Sequence, residues 1–226
     1  MSLFKTTSSP KIKVMFRKIY SNSIIDKISD WFNHKNLITT KHYNYADTLE
    51  KYEELRSYSE ISDKNSSRRK ISTKIPVEYS PFIQFGTRLR DAKKSMPKRT
   101  LLSSFNNNGL ARKVLLYRVK IAGQNVKIEM HFHKNRLFFF KYIFSYAKPS
   151  ERKELVKLLS KKYQLPNIDL SSHTIYDVNQ NCIYVEDYTE FTISYTETKN
   201  EFFTSLDEIK IQEHHQMVAH YNLKAQ

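Results

Sequence analysis

The sequence predicts an α+β fold in which antiparallel β-meander strands are packed by helices, behind a basic, helical N-terminal arm. Three observations carry that reading. Val126, Ile128, Met130 and Phe132 alternate with Lys127, Glu129, His131 and His133, the two-residue period of a strand. Leu155, Val156, Leu158, Leu159 and Tyr163 recur at helical spacing after Pro149. The charge is segregated: residues 1–120 hold 25 Lys/Arg against 10 Asp/Glu, whereas residues 121–226 hold 13 of each. The chain divides on these grounds into a basic amphipathic arm (1–40), a short helix and polar linker (41–75), an α+β domain (76–200) and a C-terminal helix (201–226).

In the arm, Pro10 is placed for a first helical turn, and Ile12, Met15, Phe16, Ile19 and Tyr20 follow at helical spacing between cationic residues. Ser21-Asn22-Ser23 breaks the run. Ile24, Ile25, Ile28, Trp31 and Phe32 form a second apolar stripe. Such helices dock on a partner, lie on an anionic membrane or pack on their own domain. Residues 1–25 also have the acid-free, Ser/Thr-rich composition of an organellar transit peptide.

A helix is expected over 46–58, with Leu49, Tyr52 and Leu55 on one face, and an exposed linker over 59–74. The compact domain is expected to begin near Ile75-Pro76. A short basic helix, Leu89 to Lys94, ends before Pro97, and Asn106-Asn107-Asn108-Gly109 reads as a turn. Residues 113–122 read as a strand with Val114, Leu116 and Tyr117 inward.

For the following hairpin, a three-residue loop of Lys134, Asn135 and Arg136 keeps the apolar faces together. It pairs Phe132 with Phe138, Met130 with Phe140, Ile128 with Tyr142 and Val126 with Phe144, and sets Glu129 opposite Lys141. After the Pro149 helix, strands are expected at Thr174–Val178, Cys182–Glu186 and around Phe191–Tyr195. A last helix runs from about Phe202 to Tyr221.

Phe85-Gly86 followed by Asp91-Ala92-Lys93-Lys94 and Met96-Pro97, and Glu154-Leu155-Val156 running to Leu165-Pro166, carry a resemblance. Over residues 80–198 the chain resembles bacterial helix-plus-β-meander modules of the β-lactamase-inhibitor-protein and small outer-membrane-assembly-lipoprotein type. Gln164 stands where those modules usually have glycine, and their export signal is absent. The resemblance implies a non-catalytic domain that binds proteins across its sheet.

Motifs that would name a reaction are missing. Gly86, Gly109 and Gly123 are too scattered for a phosphate-binding loop, and no Ser sits in a nucleophile elbow. The single cysteine, Cys182, precludes an intramolecular disulfide and lies in an apolar strand as a structural thiol. His131 and His133 share a strand face that reads as outward and solvated, and His214, His215 and His220 lie near a helix end. Neither group makes a metal-ligand set. Glu186, Asp187 and Glu190 read as a solvated acidic turn. No cofactor and no metal is predicted.

The expected function is therefore that of a non-enzymatic structural or adaptor subunit in a protein assembly. Its docking residues would be Ile12, Phe16, Ile19, Ile28, Trp31 and Phe32 on the arm, and Phe139 and Ile143 on a bare sheet face. The alternative is a nucleic-acid-binding protein using Arg88, Arg90, Lys93, Lys94, Lys98, Arg99, Arg112, Lys113, Arg118 and Lys120, with Phe105 or Tyr117 to stack. A third reading is attachment to an anionic membrane through residues 10–33. The expected location is cytoplasmic, or an organelle matrix if residues 1–25 are a transit peptide.

Overall fold

In a computed structural model of the chain, residues 45–79, 83–94, 96, 100–121, 124–166 and 169–224 are described. The arm (1–40), with Ile12, Phe16, Ile19, Ile28, Trp31 and Phe32, lies outside them, as do Lys98 and Arg99. The helices are α1 (Ala46–Glu50), α2 (Arg56–Ser67), α3 (Leu89–Lys94), α4 (Pro149–Lys162) and α5 (Glu201–Lys224). The strands are β1 (Arg69–Ser72), β2 (Leu101–Asn107), β3 (Leu110–Ile121), β4 (Gln124–His133), β5 (Arg136–Phe144), β6 (His173–Tyr176), β7 (Asn181–Asp187) and β8 (Phe191–Glu197).

All eight strands form one sheet in the order β1-β6-β7-β8-β5-β4-β3-β2. Two antiparallel meanders, β2–β5 and β6–β8, meet where β5 pairs with β8. The expectation of purely antiparallel strands is corrected at one edge, since β1 pairs parallel to β6.

The central hairpin keeps the expected pairs Glu129 with Lys141, Met130 with Phe140 and Ile128 with Tyr142. Its loop is shorter than expected. Lys134 and Asn135, both at positive φ, make a two-residue turn, and Phe132 pairs with Leu137 instead of Phe138. Such a turn matches the twist of its strands. The register then shifts between His131 and Phe132, leaving Phe138 as the extra residue of a bulge. The bulge turns both Phe138 and Phe139 into the same cluster, while Leu137 and Phe140 face the other side.

The sheet is apolar on both faces, and each is covered. The first face carries Tyr117, Ile128, Met130, Phe132, Phe140, Tyr142 and Tyr195 under α4 (Leu155, Leu159) and the segment with Val77, Tyr79, Ile83 and Leu89. Tyr79 stacks on Tyr142 with ring centroids 5.6 Å apart. The second face carries Val114, Leu116, Phe138, Phe139 and Tyr184 under Tyr52, Tyr58 and Ile61 and under Phe202, Phe203 and Leu206 of α5. The expected inward pair Val114 and Leu116 thus lies opposite Tyr117, because β3 is buried on both sides.

Two expectations fall with this arrangement. Residues 59–74 are not a linker: Tyr58, Ile61 and Asn65 are buried on α2, and β1 completes the sheet. The domain boundary at 76 is accordingly too late. Phe139 and Ile143 are not bare either, at 0% and 4% exposure. The charged surface of α2 hid a buried stripe of only three residues, which polarity alone does not reveal.

Asp177 ties the two layers at the β6–β7 turn. Its carboxylate accepts the backbone N–H groups of Val77 (2.9 Å), Asn179 (2.8 Å) and Asn181 (2.9 Å). It is 3% exposed. Removing it leaves buried donors unpaired, so Asp177→Ala should cost about 3 kcal/mol in urea unfolding, and Asp177→Asn about half that.

Candidate functional site

The ionisable residues of the second face form a layer beneath α1 and α2. Glu129 on β4 stands opposite Lys141 on β5, accepts a 2.5 Å hydrogen bond from the Tyr52 hydroxyl and lies 3.7 Å from the Lys127 ammonium. The Lys141 ammonium lies 3.7 Å from Glu186, which also accepts a 2.7 Å bond from Lys64 on α2. The Tyr58 hydroxyl meets His131 Nδ1 at 2.8 Å. With that hydroxyl donating, the ring proton sits on Nε2, which faces Glu129 Oε2 at 4.0 Å. Lys127 also donates to Thr48 on α1 at 3.1 Å.

Burial by itself would raise the Glu129 carboxyl. The His131 ring, Lys141 and Lys127 outweigh it and hold the group down at about 2. Burial lowers His131, against the attraction of Glu129, so the imidazole is neutral near pH 7. The expectation of an outward, solvated His131 is corrected: it is 0% exposed, edge-on to Tyr52 at 4.4 Å. His133 is buried too, with Nδ1 donating to the Ala111 carbonyl at 2.8 Å. Glu186 is likewise buried rather than solvated, while Asp187 pairs with Arg152. Among the described residues no group of three His, Cys, Asp or Glu is arranged to hold a metal ion. Tyr52, Glu129 and His131 would suit acid–base chemistry by type, but they are buried and already bonded, Tyr52 to Glu129 and His131 to Tyr58.

The basic tract separates into members with different tasks. Arg112 is buried, against expectation. Its Nη2 donates to the Tyr52 and Glu53 carbonyls at 2.7 Å each, and its guanidinium lies 5.3 Å from the Tyr58 ring centre and 5.4 Å from that of Phe105. Tyr117, at 0% exposure, is bonded to Tyr79 and cannot stack on a base. Arg118 is half-buried, and the Lys120 side chain lies outside the described residues.

Arg88, Arg90, Lys93 and Lys94 are exposed around α3. The fold brings Arg88 beside a cation that the sequence did not single out, because residues 88 and 136 form a β-bridge. The Lys113 ammonium reaches Asn135 Oδ1 at 3.0 Å, and Leu89 N–H donates to the Asn135 carbonyl at 2.9 Å. Arg88, Lys113, Lys134 and Arg136 therefore surround the β4–β5 turn. The rim is mixed in sign: Lys134 pairs with Glu201 at 2.7 Å, and Asp91 pairs with Lys94 at 3.3 Å and Arg90 at 3.7 Å.

The two border strands of the sheet, as the described residues form it, differ sharply. β1 is four residues long and carries Arg69 and Lys70, the charges that ordinarily discourage edge pairing. β2 is seven residues long, Leu-Leu-Ser-Ser-Phe-Asn-Asn, with no charge in it. Among the described residues no strand lies beyond it. Close by, α5 passes the β2–β3 turn, where Asn108 Nδ2 donates to Glu213 Oε1 at 3.3 Å. Beyond that point Met217 (56%) and Val218 (44%) are exposed, as is Ile211 (57%) two residues before it.

Comparison with protein-family models, with curated proteins and with solved structures yields no match for this chain. No helix among the described residues is long and apolar enough to cross a membrane.

The buried layer dictates an acid limb in stability. A carboxyl held at about 2 against an ordinary 4.5 favours the fold fully above pH 4.5 and loses that contribution as pH falls toward 2. A buried neutral His131 acts in the same direction below its ordinary 6.5. Unfolding free energy should fall by roughly 3 kcal/mol from Glu129 alone across that carboxyl window. Glu129→Gln should be less stable at pH 7 and show a flatter acid limb in urea titrations at stepped pH.

Proposed function

We propose that the chain is a non-enzymatic adaptor subunit that binds a partner protein by adding a strand of that partner to the β2 edge. The observation that carries the reading is the uncharged, seven-residue border strand. An open strand presents unpaired N–H and C=O groups, a template for an incoming strand, and proteins ordinarily blunt it with charge or brevity as at β1. The exposed Ile211, Met217 and Val218 of α5, which passes the β2–β3 turn, supply apolar contact near that border. The mutual hydrogen bonding of Tyr52 with Glu129 and of Tyr58 with His131 supports a structural task for those groups. The arm (1–40) is proposed as a second anchor on the same assembly.

The test is capture from the native lysate with the tagged full chain, before and after nuclease and at low and high salt. A discrete protein set surviving both treatments, and lost from Leu101→Lys/Ser103→Lys, is expected, because charge on an edge blocks pairing. Capture unchanged by the edge charges would overturn the edge reading.

A second reading has its own observation, the convergence of Arg88, Lys113, Lys134 and Arg136 about one turn. Phosphate binding there would weaken steeply with salt, by a slope of about 0.9 per contacted phosphate on duplex DNA. Arg88→Ala/Arg136→Ala should then lower the slope by about 2 in fluorescence anisotropy. The interspersed Asp91 and Glu201 and the buried state of Arg112 and Tyr117 favour the protein partner.

A further inference from the structure

Away from both the basic rim and the β2 edge, a cleft of about 230 Å³ opens between α2, α5 and the β6–β8 side of the sheet. Its wall includes Ser62 and Asn65 of α2, Lys70 of β1, Tyr176 of β6, Thr196 of β8 and Phe203 of α5. No carboxylate lines it.

The polar groups of this wall are unevenly satisfied. Asn65 is 5% exposed, yet its side-chain carbonyl oxygen has no hydrogen-bond partner. The Thr196 hydroxyl, at 0% exposure, is hydrogen-bonded with the Cys182 thiol on β7. Buried polar atoms are nearly always paired, so the unpaired Asn65 oxygen asks for an explanation. The Lys70 ammonium lies 5.4 Å from the centre of the Tyr176 ring, a soft contact that leaves its three donors available. Tyr176 and Phe203 contribute aromatic surface beside these groups.

We propose that this cleft binds a polyhydroxylated small molecule of monosaccharide size. The chemistry follows from what the wall presents. The Asn65 carbonyl oxygen needs a donor, and the exposed Lys70 ammonium offers donors beside it. Vicinal hydroxyls supply donors and acceptors on adjacent carbons, and the C–H face of a sugar ring packs on aromatic carbon. A hydroxyl also serves either orientation of the Asn65 amide. A phosphate dianion would bring two negative charges to a wall whose one cation among the described residues is Lys70. An apolar ligand meets neither the Asn65 oxygen nor the Lys70 ammonium. This site is independent of the partner reading and stands or falls apart from it.

The experiment is saturation-transfer NMR on the full chain with methyl glucoside, methyl galactoside, N-acetylglucosamine, glucuronate and inositol, at about 1–10 mM. A cyclic ether without ring hydroxyls is the matched control, and line broadening of phosphate is followed in parallel. Comparing reducing sugars with methyl glycosides separates free sugar from the end of a glycan. Transfer to at least one polyol, none to the control, and loss in Ser62→Phe, which fills the cleft, is the expected result. Lys70→Ala, at an exposed position, should weaken the same polyol about tenfold, and it keeps the test open if Ser62→Phe does not fold. The proposal is overturned if no polyol shows transfer, if transfer persists unchanged in the variants, or if phosphate alone binds.

Discussion

The β4–β5 hairpin sets large aromatic side chains on both sides of one sheet, and water is excluded from both only if the chain supplies two covers. The bulge at Phe138 sharpens this constraint. It places Phe138 and Phe139 together on the second face while Phe132, Leu137 and Phe140 hold the first. A sheet buried on both sides demands layers above and below. α4 with Val77, Tyr79, Ile83 and Leu89 serves one face, and α1, α2 and the first turns of α5 serve the other. Residues 45–72 are therefore part of the domain that they precede in sequence.

The second cover is the costly one, since it buries charge. Glu129, Lys141, Lys127 and Glu186 come out of water together, with the half-exposed Lys64 at their margin, and each needs its partners in place. Tyr52 and Tyr58, the aromatic anchors of the covering segment, also hydrogen-bond to Glu129 and His131. Arg112 fastens the same segment through two of its carbonyls. Packing and hydrogen bonding thus fix the segment in one position, and the proposed sites lie at the borders: an uncharged edge, a basic turn and a polar cleft.

Much of the architecture was legible. Alternation located the central hairpin and its Glu129–Lys141 pair, and periodicity located α4 and α5. The Asn179-Gln180-Asn181 turn and the strands around it also fell where expected. What escaped had physical reasons. A two-residue turn plus a bulge gives nearly the same facing pattern as a three-residue loop, so alternation could not separate them. The α2 segment buries three residues under a charged surface, so its composition reads as a linker. The pairing of Arg88 with Arg136 and the gathering of Asn65, Lys70 and Thr196 at one cleft depend on topology that no local pattern encodes. The edge character of β2, by contrast, was present in Leu101–Asn107 as a run without charge, and needed only its place in the sheet to become informative.

The account rests most heavily on residues 45–72 being an integral cover rather than a tether. Hydrogen–deuterium exchange by mass spectrometry on the full chain tests this directly. Peptides from α2 should be protected on the same timescale as those of β4, β5 and β8, because they open with the same buried layer. Peptides from β2 should exchange faster than those of β3. Rapid exchange across 56–72, with the central strands still protected, would contradict the two-cover account.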